Sequence, residues 1–516
     1  MFAHTIVSRA VPAAPATIAT TLSRACTRPS TRTSTLFAMP LRAKLLSQQQ
    51  QPQSQRLMST QEVYDRFKPR DGDEPEDVIF NSLYGLRSIE LNRPRKLNAL
   101  NGSMIRKIAP RMLEWAKSDM ANVIVMKGAG DKAFCAGGDV AQLAGWNQSG
   151  PEGQEKSKEY FAQEYQLDHL IATYNKPYVA FMDGITMGGG VGLSIHAPFR
   201  IATERTVFAM PETTIGFFPD VGASFFLPRM PGFVGTYLAL TSMRLMGANV
   251  FYSGVATHYL HSTSLPRLES RLAELRFQDN DGMQARLTAI NATIEEFVTG
   301  LPHDEPILLS GELRRAIDRC FSHNSVDEIL RALEKETGAT RQWAQETIST
   351  LHERSPTAVH VALRQMRIGA KWSIRDTFVR EYAIASKFMA SHDFTEGVTA
   401  LLVDKRPPTW QPPSLVEISP EQSPKLTEDY FLLPRDQPKL ELLTDANYEE
   451  YPHPPFGVPT EEDIEKMVRL GTMTRPQLVD AFVKEKGQKQ GVKEVVEEIL
   501  ARKTTGGSKG PAKWVY

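Results

Sequence analysis

The sequence is poor in cysteine, in long hydrophobic runs and in net charge. Its 516 residues include three cysteines, Cys26, Cys135 and Cys320, and no CxxC pair, so neither a disulfide framework nor a thiolate redox site is expected. No hydrophobic run is long enough for a membrane helix. Lysine plus arginine and aspartate plus glutamate each total 60, which excludes a global basic field of the kind that binds nucleic acid. Since HExxH motifs and Cys/His clusters are also missing, we predict no metal site.

The first 61 residues contain no acidic residue, although they include six arginines and one lysine. They are rich in serine, threonine and alanine and lack the continuous apolar core of a secretory signal. This composition is typical of a mitochondrial presequence, and Arg56-Leu57-Met58-Ser59 resembles an arginine-guided cleavage site. We therefore predict a presequence over residues 1–58, a mature start near Ser59 and a location in the mitochondrial matrix. The alternative is a basic N-terminus that is never cleaved.

From about residue 81 onward, strand and helix patterns alternate. They predict strands at Leu86–Leu91, Asn122–Lys127 and Tyr178–Met182 and helices at Met104–Lys117 and Ser157–Thr173. This alternation predicts an α/β architecture with a mostly parallel sheet. After about residue 230 helical patterns dominate, so a helical region is expected to follow the sheet region.

The composition changes again near residue 407. Residues 407–459 contain twelve prolines, which interrupt both helices and central strands. We interpret residues 409–459 as an extended, proline-rich linker between a domain at 59–408 and a helical C-terminal extension at 460–516, which begins with Thr460 as a helix cap. The apolar faces of these last helices are too small to be stable alone, so we expect them to dock on this protein or on a partner.

Two glycine-rich elements follow predicted strands, one shortly after Asn122–Lys127 and one directly after Tyr178–Met182. The first is KAFCAGGD at 132–139, and the second is GITMGGGVG at 184–192. Glycine lets backbone N–H groups approach a ligand closely, and a following helix adds positive potential at its N-terminus. Two such loops on neighbouring strands present two N–H donors to one oxygen, as in an oxyanion hole. The alternative is a pair of ordinary tight turns.

Two carboxylates lie in an apolar run further along the chain. Glu212 and Asp220 are surrounded by Met, Ile, Phe and Pro in FAMPETTIGFFPDVG at 208–222. Burial there raises a carboxyl pKa and suits the group to acid, base or nucleophile chemistry near neutral pH. The alternative, that one of them caps a helix or pairs with an arginine, is weakened by the two glycine loops upstream.

Seven motifs occur, once each, along residues 77–416. They are LNRP (91–94), NAL (98–100), AFCAGGD (133–139), GITMGGGVGLS (184–194), FAMPETTIGFFPDVG (208–222), DFTEG (393–397) and VDK (403–405). Their order resembles the enoyl-CoA hydratase/isomerase (crotonase) superfamily and, within it, the branch of 3-hydroxyisobutyryl-CoA hydrolases. The resemblance implies a spiral of β-β-α turns followed by helices, binding of a CoA thioester and no separate cofactor.

The resemblance also implies roles for four residues at the reacting centre. Gly138 and Gly189 match the positions whose N–H groups hold the thioester carbonyl oxygen. Glu212 matches the catalytic glutamate of the family. Asp220 matches an acidic residue that the hydrolase branch adds to the site.

Two further residues match positions nearer the substrate. Glu164 corresponds to a substrate-side carboxylate on the helix before the second glycine loop. Lys96 lies where the family binds the CoA nucleotide, which implies a pairing with phosphate; the alternative is a solvent-exposed lysine.

The sequence departs from the pattern of true hydratases at one position. Hydratases carry a second glutamate two residues after the GGG run, where this chain has Gly192. With Glu212 alone of that pair, and with Asp220 and Glu164 added, the resemblance implies hydrolysis of a 3-hydroxyacyl-CoA, as in valine catabolism, rather than hydration. Glu212 then either attacks the thioester or activates water.

The last hundred residues have no place in a compact hydrolase of this family. Fungal mitochondrial relatives are proteins of the small subunit of the mitochondrial ribosome, and a long extension is consistent with that role. The tail carries basic clusters at Lys484–Lys493 and Arg502–Lys513 that are suited to rRNA phosphates. A role as a ribosomal component, alone or with enzymatic activity, is therefore the alternative hypothesis.

Overall fold

The computed structural model describes residues 58, 60–278, 280–302, 304–419, 421–433, 439–453, 455–507 and 510–515. The predicted presequence and its cleavage site therefore lie outside the described residues, apart from Met58. The strands are β1 (Val78–Leu83), β2 (Leu86–Leu91), β3 (Val123–Gly128), β4 (Ala133–Cys135), β5 (Tyr178–Met182), β6 (Ile185–Met187), β7 (Phe199–Ala202), β8 (Val207–Ala209), β9 (Leu245–Met246), β10 (His258–Tyr259), β11 (Thr504–Gly506) and β12 (Ala512–Trp514).

Strands β3 to β8 alternate between two sheets, and β11 and β12 form a separate two-stranded sheet. The larger sheet has the order β1-β2-β3-β5-β7-β10, and the smaller has the order β4-β6-β8-β9. Strands β2, β3, β5, β7 and β10 run parallel, as do β4, β6 and β8, whereas β1 and β9 pair antiparallel at the edges. Each turn of the chain adds one strand to each sheet, so the glycine loops at the strand ends lie next to each other across the turns.

The helices cover the sheets and continue beyond them. Before the helical region they are α1 (Thr60–Phe67), α2 (Gly102–Ala116), α3 (Val140–Gln148), α4 (Pro151–Ala172), α5 (Gly189–Gly192) and α6 (Ala223–Phe226). The helical region holds α7 (Val234–Thr241), α8 (Ala248–Tyr252), α9 (Leu265–Ala273), α10 (Met283–Glu295), α11 (Gly311–Phe321), α12 (Val326–Glu334), α13 (Arg341–Glu353), α14 (Pro356–Ile368), α15 (Ile374–Phe388) and α16 (His392–Val398). The C-terminal part holds α17 (Gln422–Phe431), α18 (Glu461–Arg469), α19 (Arg475–Glu485) and α20 (Val492–Lys503).

Helix α4 lies in the middle of the molecule. Every residue from Tyr160 to Ala172 is buried, because α2, α3 and α15 pack around the helix. A helix buried on all sides is normally apolar throughout. This one carries Glu164 and Asp168 among its buried residues, so these carboxyl groups are enclosed by protein.

The proline-rich segment is largely extended, as the sequence indicates, but it also contains a helix that was not predicted. It contains the ten-residue helix α17, in which Pro424 occupies the first turn, where a missing N–H costs no intrahelical hydrogen bond. The rest of the described segment is largely extended and packs on the domain: Gln166 donates a hydrogen bond to the Glu441 carbonyl at 2.6 Å, and Phe456 stacks on Phe199. The segment therefore covers the domain as a strap.

The helices after the strap begin as the sequence indicates. Thr460 caps α18 in a capping box with Asp463, and Thr474 caps α19 in the same way with Gln477. Apolar residues of these helices and of α20 are buried in the same core as the sheet region. No helix in the described part of the chain combines the length and the apolar character needed to cross a membrane.

Candidate functional site

The first glycine loop continues from β4, and its Gly138 N–H points away from the neighbouring segment at Leu100. Leu100 forms a parallel bridge with Gly138, in which the Leu100 N–H bonds the Gly137 carbonyl and the Asp139 N–H bonds the Leu100 carbonyl. Both bonds use the residues beside Gly138, so the Gly138 N–H points to the side opposite Leu100. That side faces a cavity of about 370 Å³.

The second glycine loop contributes the start of a helix to the same cavity. Gly189 is the first residue of α5, whose initial N–H groups have no intrahelical acceptor. Gly188 enters the helix with φ of +46°, a conformation that glycine adopts readily. A Cβ atom at position 189 would lie 3.4 Å from the Gly138 nitrogen, so the two loops converge as the oxyanion-hole hypothesis requires.

Three carboxyl groups line the cavity beside these loops. Glu212 begins a 3-10 turn after β8, Asp220 follows eight residues later, and Glu164 projects from α4. Each residue is at most 5% exposed. A Cβ atom at 188 would lie 3.1 Å from Glu212 Oε1 and one at 189 would lie 2.5 Å from Glu164 Oε1, which places both carboxyls against the glycine run.

These carboxyl groups share one electrostatic environment. Burial raises the pKa of Glu212 and of Glu164 well above the ordinary range, and the nearby Asp220 carboxyl raises both further. Burial also raises the pKa of Asp220, to about 7, although a hydrogen bond from Tyr165 opposes the rise. Because like charges so close together are unfavourable, the three groups retain protons at pH values where isolated carboxyls have lost them.

Two tyrosines of α4 lie beside these groups: Tyr165 orients Asp220, and Tyr160 lies against the first glycine loop, although no sequence motif marks either of them. The Tyr165 hydroxyl donates to Asp220 Oδ2 at 2.6 Å. The Tyr160 hydroxyl donates to the Leu100 carbonyl at 3.1 Å and lies beside Gly138, where an added Cβ would approach it to 2.8 Å. Tyr160 and Glu164 are four residues apart on one helix face, which is the spacing that would have indicated Tyr160.

Two more carboxyl groups lie behind the cavity wall. Asp168, one turn after Glu164 on α4, is fully buried, and neither of its oxygens has a hydrogen-bond partner among the described residues. Glu381 on α15 accepts hydrogen bonds from the backbone N–H groups of Gly222 and Ser224 at 2.7 and 2.9 Å. Burial raises the pKa of Asp168 well above its ordinary value and that of Glu381 to about 8.

The remaining cavity wall is mainly apolar and closes off the carboxyl groups from bulk water. It includes Phe161, Phe217 and Phe394, and the π-helical turn Thr399–Asp404 adds Leu401 and Leu402. Leu402 is 45% exposed, so this turn lies at the opening of the cavity. An apolar chamber with a few convergent polar groups is the usual form of a small-molecule site.

Lys96 lies outside this cavity. It belongs to the 3-10 turn Pro94–Lys96, its side chain is 61% exposed, and its ammonium group lies 3.4 Å from Asp139 Oδ2. Asp139 follows Gly138 and also pairs with the buried Arg93 at 3.0 Å. Both the phosphate-binding and the solvent-exposed interpretations of Lys96 are compatible with this position.

The buried carboxyls predict a pH-dependent stability. Because their pKa values are raised in the folded state, the folded protein holds protons that the unfolded chain has released, and stability falls as pH rises between about 4 and about 8. Asp168→Asn removes one such group. The parent protein should lose unfolding free energy between about pH 5 and pH 8, as measured by urea denaturation. In the variant we expect this loss to be smaller by about 1–3 kcal/mol.

The control for this measurement is Asp480→Asn, because Asp480 is exposed on α19. It should leave the pH dependence as in the parent protein. An unchanged pH dependence in Asp168→Asn would show that Asp168 is not held as a protonated acid in the folded state.

Comparison with known proteins identifies the family. The enoyl-CoA hydratase/isomerase family model matches residues 86–427. A crystal structure of a carnitinyl-CoA dehydratase from Mycobacterium thermoresistibile is 33% identical, with a TM-score of 0.61, over 72% of this chain and 98% of that one. This similarity confirms the predicted crotonase-like α/β fold with its helical region.

Two groups of similar proteins carry different names. The small ribosomal subunit protein mS47 of Neurospora crassa is 59% identical over 505 residues, which are 96% of this chain and 97% of that protein. The mitochondrial 3-hydroxyisobutyryl-CoA hydrolase of Gallus gallus is 43% identical over 350 residues, 68% of this chain and 88% of that protein. The chain therefore belongs to the enoyl-CoA hydratase/isomerase family.

Proposed function

We propose that this protein hydrolyses a 3-hydroxyacyl-CoA thioester in the mitochondrion, with 3-hydroxyisobutyryl-CoA as the preferred substrate. The observation that carries the proposal is the convergence of the Gly138 and Gly189 loops beside three buried carboxyl groups in one apolar cavity. Similarity to the Gallus gallus hydrolase over most of that protein supports both the reaction and the compartment. Gly192 supports hydrolysis over hydration, because the second glutamate of hydratases is missing there.

In this mechanism the two glycine N–H groups stabilise the oxyanion. When the thioester carbonyl is attacked, its oxygen gains negative charge between Gly138 and Gly189. Removing one such donor in well-studied enzymes costs about 3–4 kcal/mol of transition-state stabilisation. The C–S bond then breaks, the CoA thiolate takes up a proton, and one water is consumed to give the free acid and CoA.

Glu212 has two possible roles in the attack, and they differ in their intermediates. As a nucleophile it forms a mixed anhydride that water then cleaves; as a base it takes a proton from the attacking water. Hydroxylamine added during turnover converts a mixed anhydride at Glu212 to a hydroxamate. A hydroxamate on the peptide that contains Glu212, detected by mass spectrometry, would establish the nucleophilic route.

Asp220 and Glu164 are assigned to the 3-hydroxyl group and to the water. Asp220 is oriented by Tyr165, and Glu164 lies against Gly189, so both are within the chamber that receives the acyl group. The proposal is tested with thiol release from 3-hydroxyisobutyryl-CoA, isobutyryl-CoA and crotonyl-CoA. We expect the 3-hydroxy ester to be hydrolysed fastest. Failure to release CoA from any of the three esters would overturn the enzymatic proposal.

A second function is supported by the length of the similarity to the ribosomal protein. The Neurospora crassa relative matches 96% of this chain, whereas the Gallus gallus hydrolase matches 68% of it. We therefore infer a role in the small subunit of the ribosome, alongside the enzymatic function. We propose the C-terminal helices as the contact surface, because the match to this ribosomal relative covers 505 residues and the match to the hydrolase covers 350.

The structure limits which basic residues of the tail are available to rRNA. Arg502 is buried and pairs with Glu461 and Glu498, and Lys503 lies 3.7 Å from Asp318. Their positive charges are neutralised within the protein, so these two members of the predicted Arg502–Lys513 basic cluster are not available to phosphate. By contrast, Lys484, Lys493 and Lys513 are exposed.

These exposed lysines provide the test of the ribosomal role. Lys484→Glu, Lys493→Glu and Lys513→Glu in one chain should reduce cosedimentation with mitochondrial small subunits by about tenfold or more at moderate salt, because each phosphate contact contributes to affinity. The matched control reverses three exposed lysines of the domain, Lys68, Lys117 and Lys156. Equal cosedimentation of both variants would exclude the tail lysines as the contact. If the parent chain does not cosediment with the small subunits, the ribosomal role is overturned.

A further inference from the structure

A second cavity of about 310 Å³ lies between the domain and the C-terminal part of the chain. One side is formed by α6, α7 and α8 and the other by the end of the strap, the start of α18 and one face of α20. It shares no lining residue with the catalytic cavity. It therefore needs an explanation of its own.

Most of its wall is apolar. Phe226, Met230 and Leu245 contribute from the domain, and Val495 and Ile499 contribute from α20. Such a wall favours the hydrocarbon part of a ligand, because burial of apolar surface stabilises by about 25 cal/mol per Å². By itself it does not favour any charge.

The charged residues of the lining give the cavity an excess of positive charge. Four arginines line it, Arg200, Arg229, Arg314 and Arg502, against two carboxylates, Glu461 and Glu498. The carboxylates are already engaged: Glu461 pairs with Arg314 at 2.9 Å and Glu498 with Arg502 at 2.9 Å. The other two guanidinium groups, Arg200 and Arg229, have no ion-pair partner in the lining.

Arg200 and Arg229 are held by neutral groups. Arg200 donates to the carbonyls of Val255 and Ala197, each at 2.6 Å, and Arg229 donates to those of Phe225 and Trp372. Within the described ranges, no carboxylate lies within 4 Å of either guanidinium. Burying a cation without a counter-charge is costly, so an anion in this cavity would be stabilised.

One lining arginine also has a buried donor without an acceptor. Arg502 Nη1 is enclosed by protein and makes no hydrogen bond to any described residue. The Asp318 carboxylate is 3.8 Å away, beyond hydrogen-bond range. The Arg502 side chain is only 2% exposed, so bulk water does not supply the missing acceptor.

We propose that this cavity binds an amphipathic monocarboxylate of short to medium chain length. The carboxylate accepts hydrogen bonds from the arginine side of the cavity, and the hydrocarbon chain lies against the apolar wall. Because the wall is built from both the domain and α20, the ligand binds only when the C-terminal part is docked. By linkage, it stabilises the docked arrangement.

Octanoate is the probe for this proposal, with octanol and octylamine as comparisons of the same length. With the full chain, octanoate at about tenfold its Kd should raise Tm by about 1–2 °C and give a saturable isotherm in calorimetry. Octanol should bind at least about tenfold more weakly and octylamine not at all, because neither supplies an anionic acceptor. Equal binding of octanol and octanoate, or no binding of octanoate, would overturn the proposal.

A pair of adjacent leucines provides the matched variants. Leu309 lines the cavity, whereas Leu308 is 40% exposed and does not. Leu309→Trp should fill the space and abolish the octanoate response, and Leu308→Trp should retain it. Retention of the full response in a folded Leu309→Trp would place the binding elsewhere; if that variant does not fold, the ligand series on the parent chain decides. CoA-thioester hydrolysis is measured separately, so this test does not depend on the proposed function.

Discussion

Glu212→Gln is expected to lower kcat for the CoA thioester by about 1,000-fold or more while leaving binding of the ester measurable. Glutamine neither attacks the carbonyl nor accepts a proton from water, so both routes of the proposed mechanism lose their reactive group. The substitution keeps the shape of the side chain. Since Glu212 Oε2 has no hydrogen-bond partner among the described residues, the amide disrupts no existing hydrogen bond there.

The loss should appear in kcat rather than in Kd, because the oxyanion loops and the apolar wall still hold the ester. Thiol release measures kcat, and calorimetry with a non-hydrolysable thioether analogue measures Kd. Glu417→Gln is the control, because Glu417 is exposed in the strap and away from the cavity. Near-normal turnover in Glu212→Gln would remove Glu212 from the chemistry.

Much of the fold follows from local pattern. Strands β2 and β5 span the predicted residues, Leu86–Leu91 and Tyr178–Met182, because each is an apolar run bounded by turn residues. The ends of the helices shift by a few residues: the predicted helix at Ser157–Thr173 is the last three quarters of α4, which begins at Pro151. Proline is favoured at the first position of a helix, and the periodic pattern did not include it.

The chemistry of the site was accessible from the sequence only where motifs carry it. The glycine loops and Glu212 stand in motifs, and the structure brings them into one cavity. Tyr165 and Glu381 stand in none, since a side chain's partner across the fold depends on packing that no local pattern encodes. The same limit applies to Arg502. The sequence suggested that its charge could bind phosphate, but Asp318 on α11, Glu461 on α18 and Glu498 on its own helix neutralise that charge.

The C-terminal part is bound to the domain by more than apolar contact. Lys489 is buried and pairs with Glu295, whose carboxyl also lies 3.1 Å from His258 Nε2. These partners hold the pKa of Glu295 at about 2, well below its ordinary value, although burial alone would raise it. Removal of one partner from a buried pair typically costs about 3–5 kcal/mol, because the other charge is left uncompensated.

A chain that ends after residue 433 is therefore expected to lose Tm by about 10 °C or more, or to become insoluble. The truncation exposes the face of α4 on which Gln166 and His169 donate hydrogen bonds to carbonyl groups of the strap. It also removes Lys489, the partner of Glu295, and Glu461, a partner of Arg314. Differential scanning calorimetry and soluble yield measure the effect.

Coexpression of residues 434–516 as a separate chain is the control and should restore part of the stability, because the contacts are non-covalent. A truncated chain with a Tm within about 2 °C of the full chain would show that the extension is an independent appendage. The expected outcome instead makes the C-terminal part a component of the domain's core. A deletion then disturbs the helix that carries Glu164, so loss of ribosome association or of hydrolysis in such a deletion has no single cause, and the exposed lysines are the residues that separate the two functions.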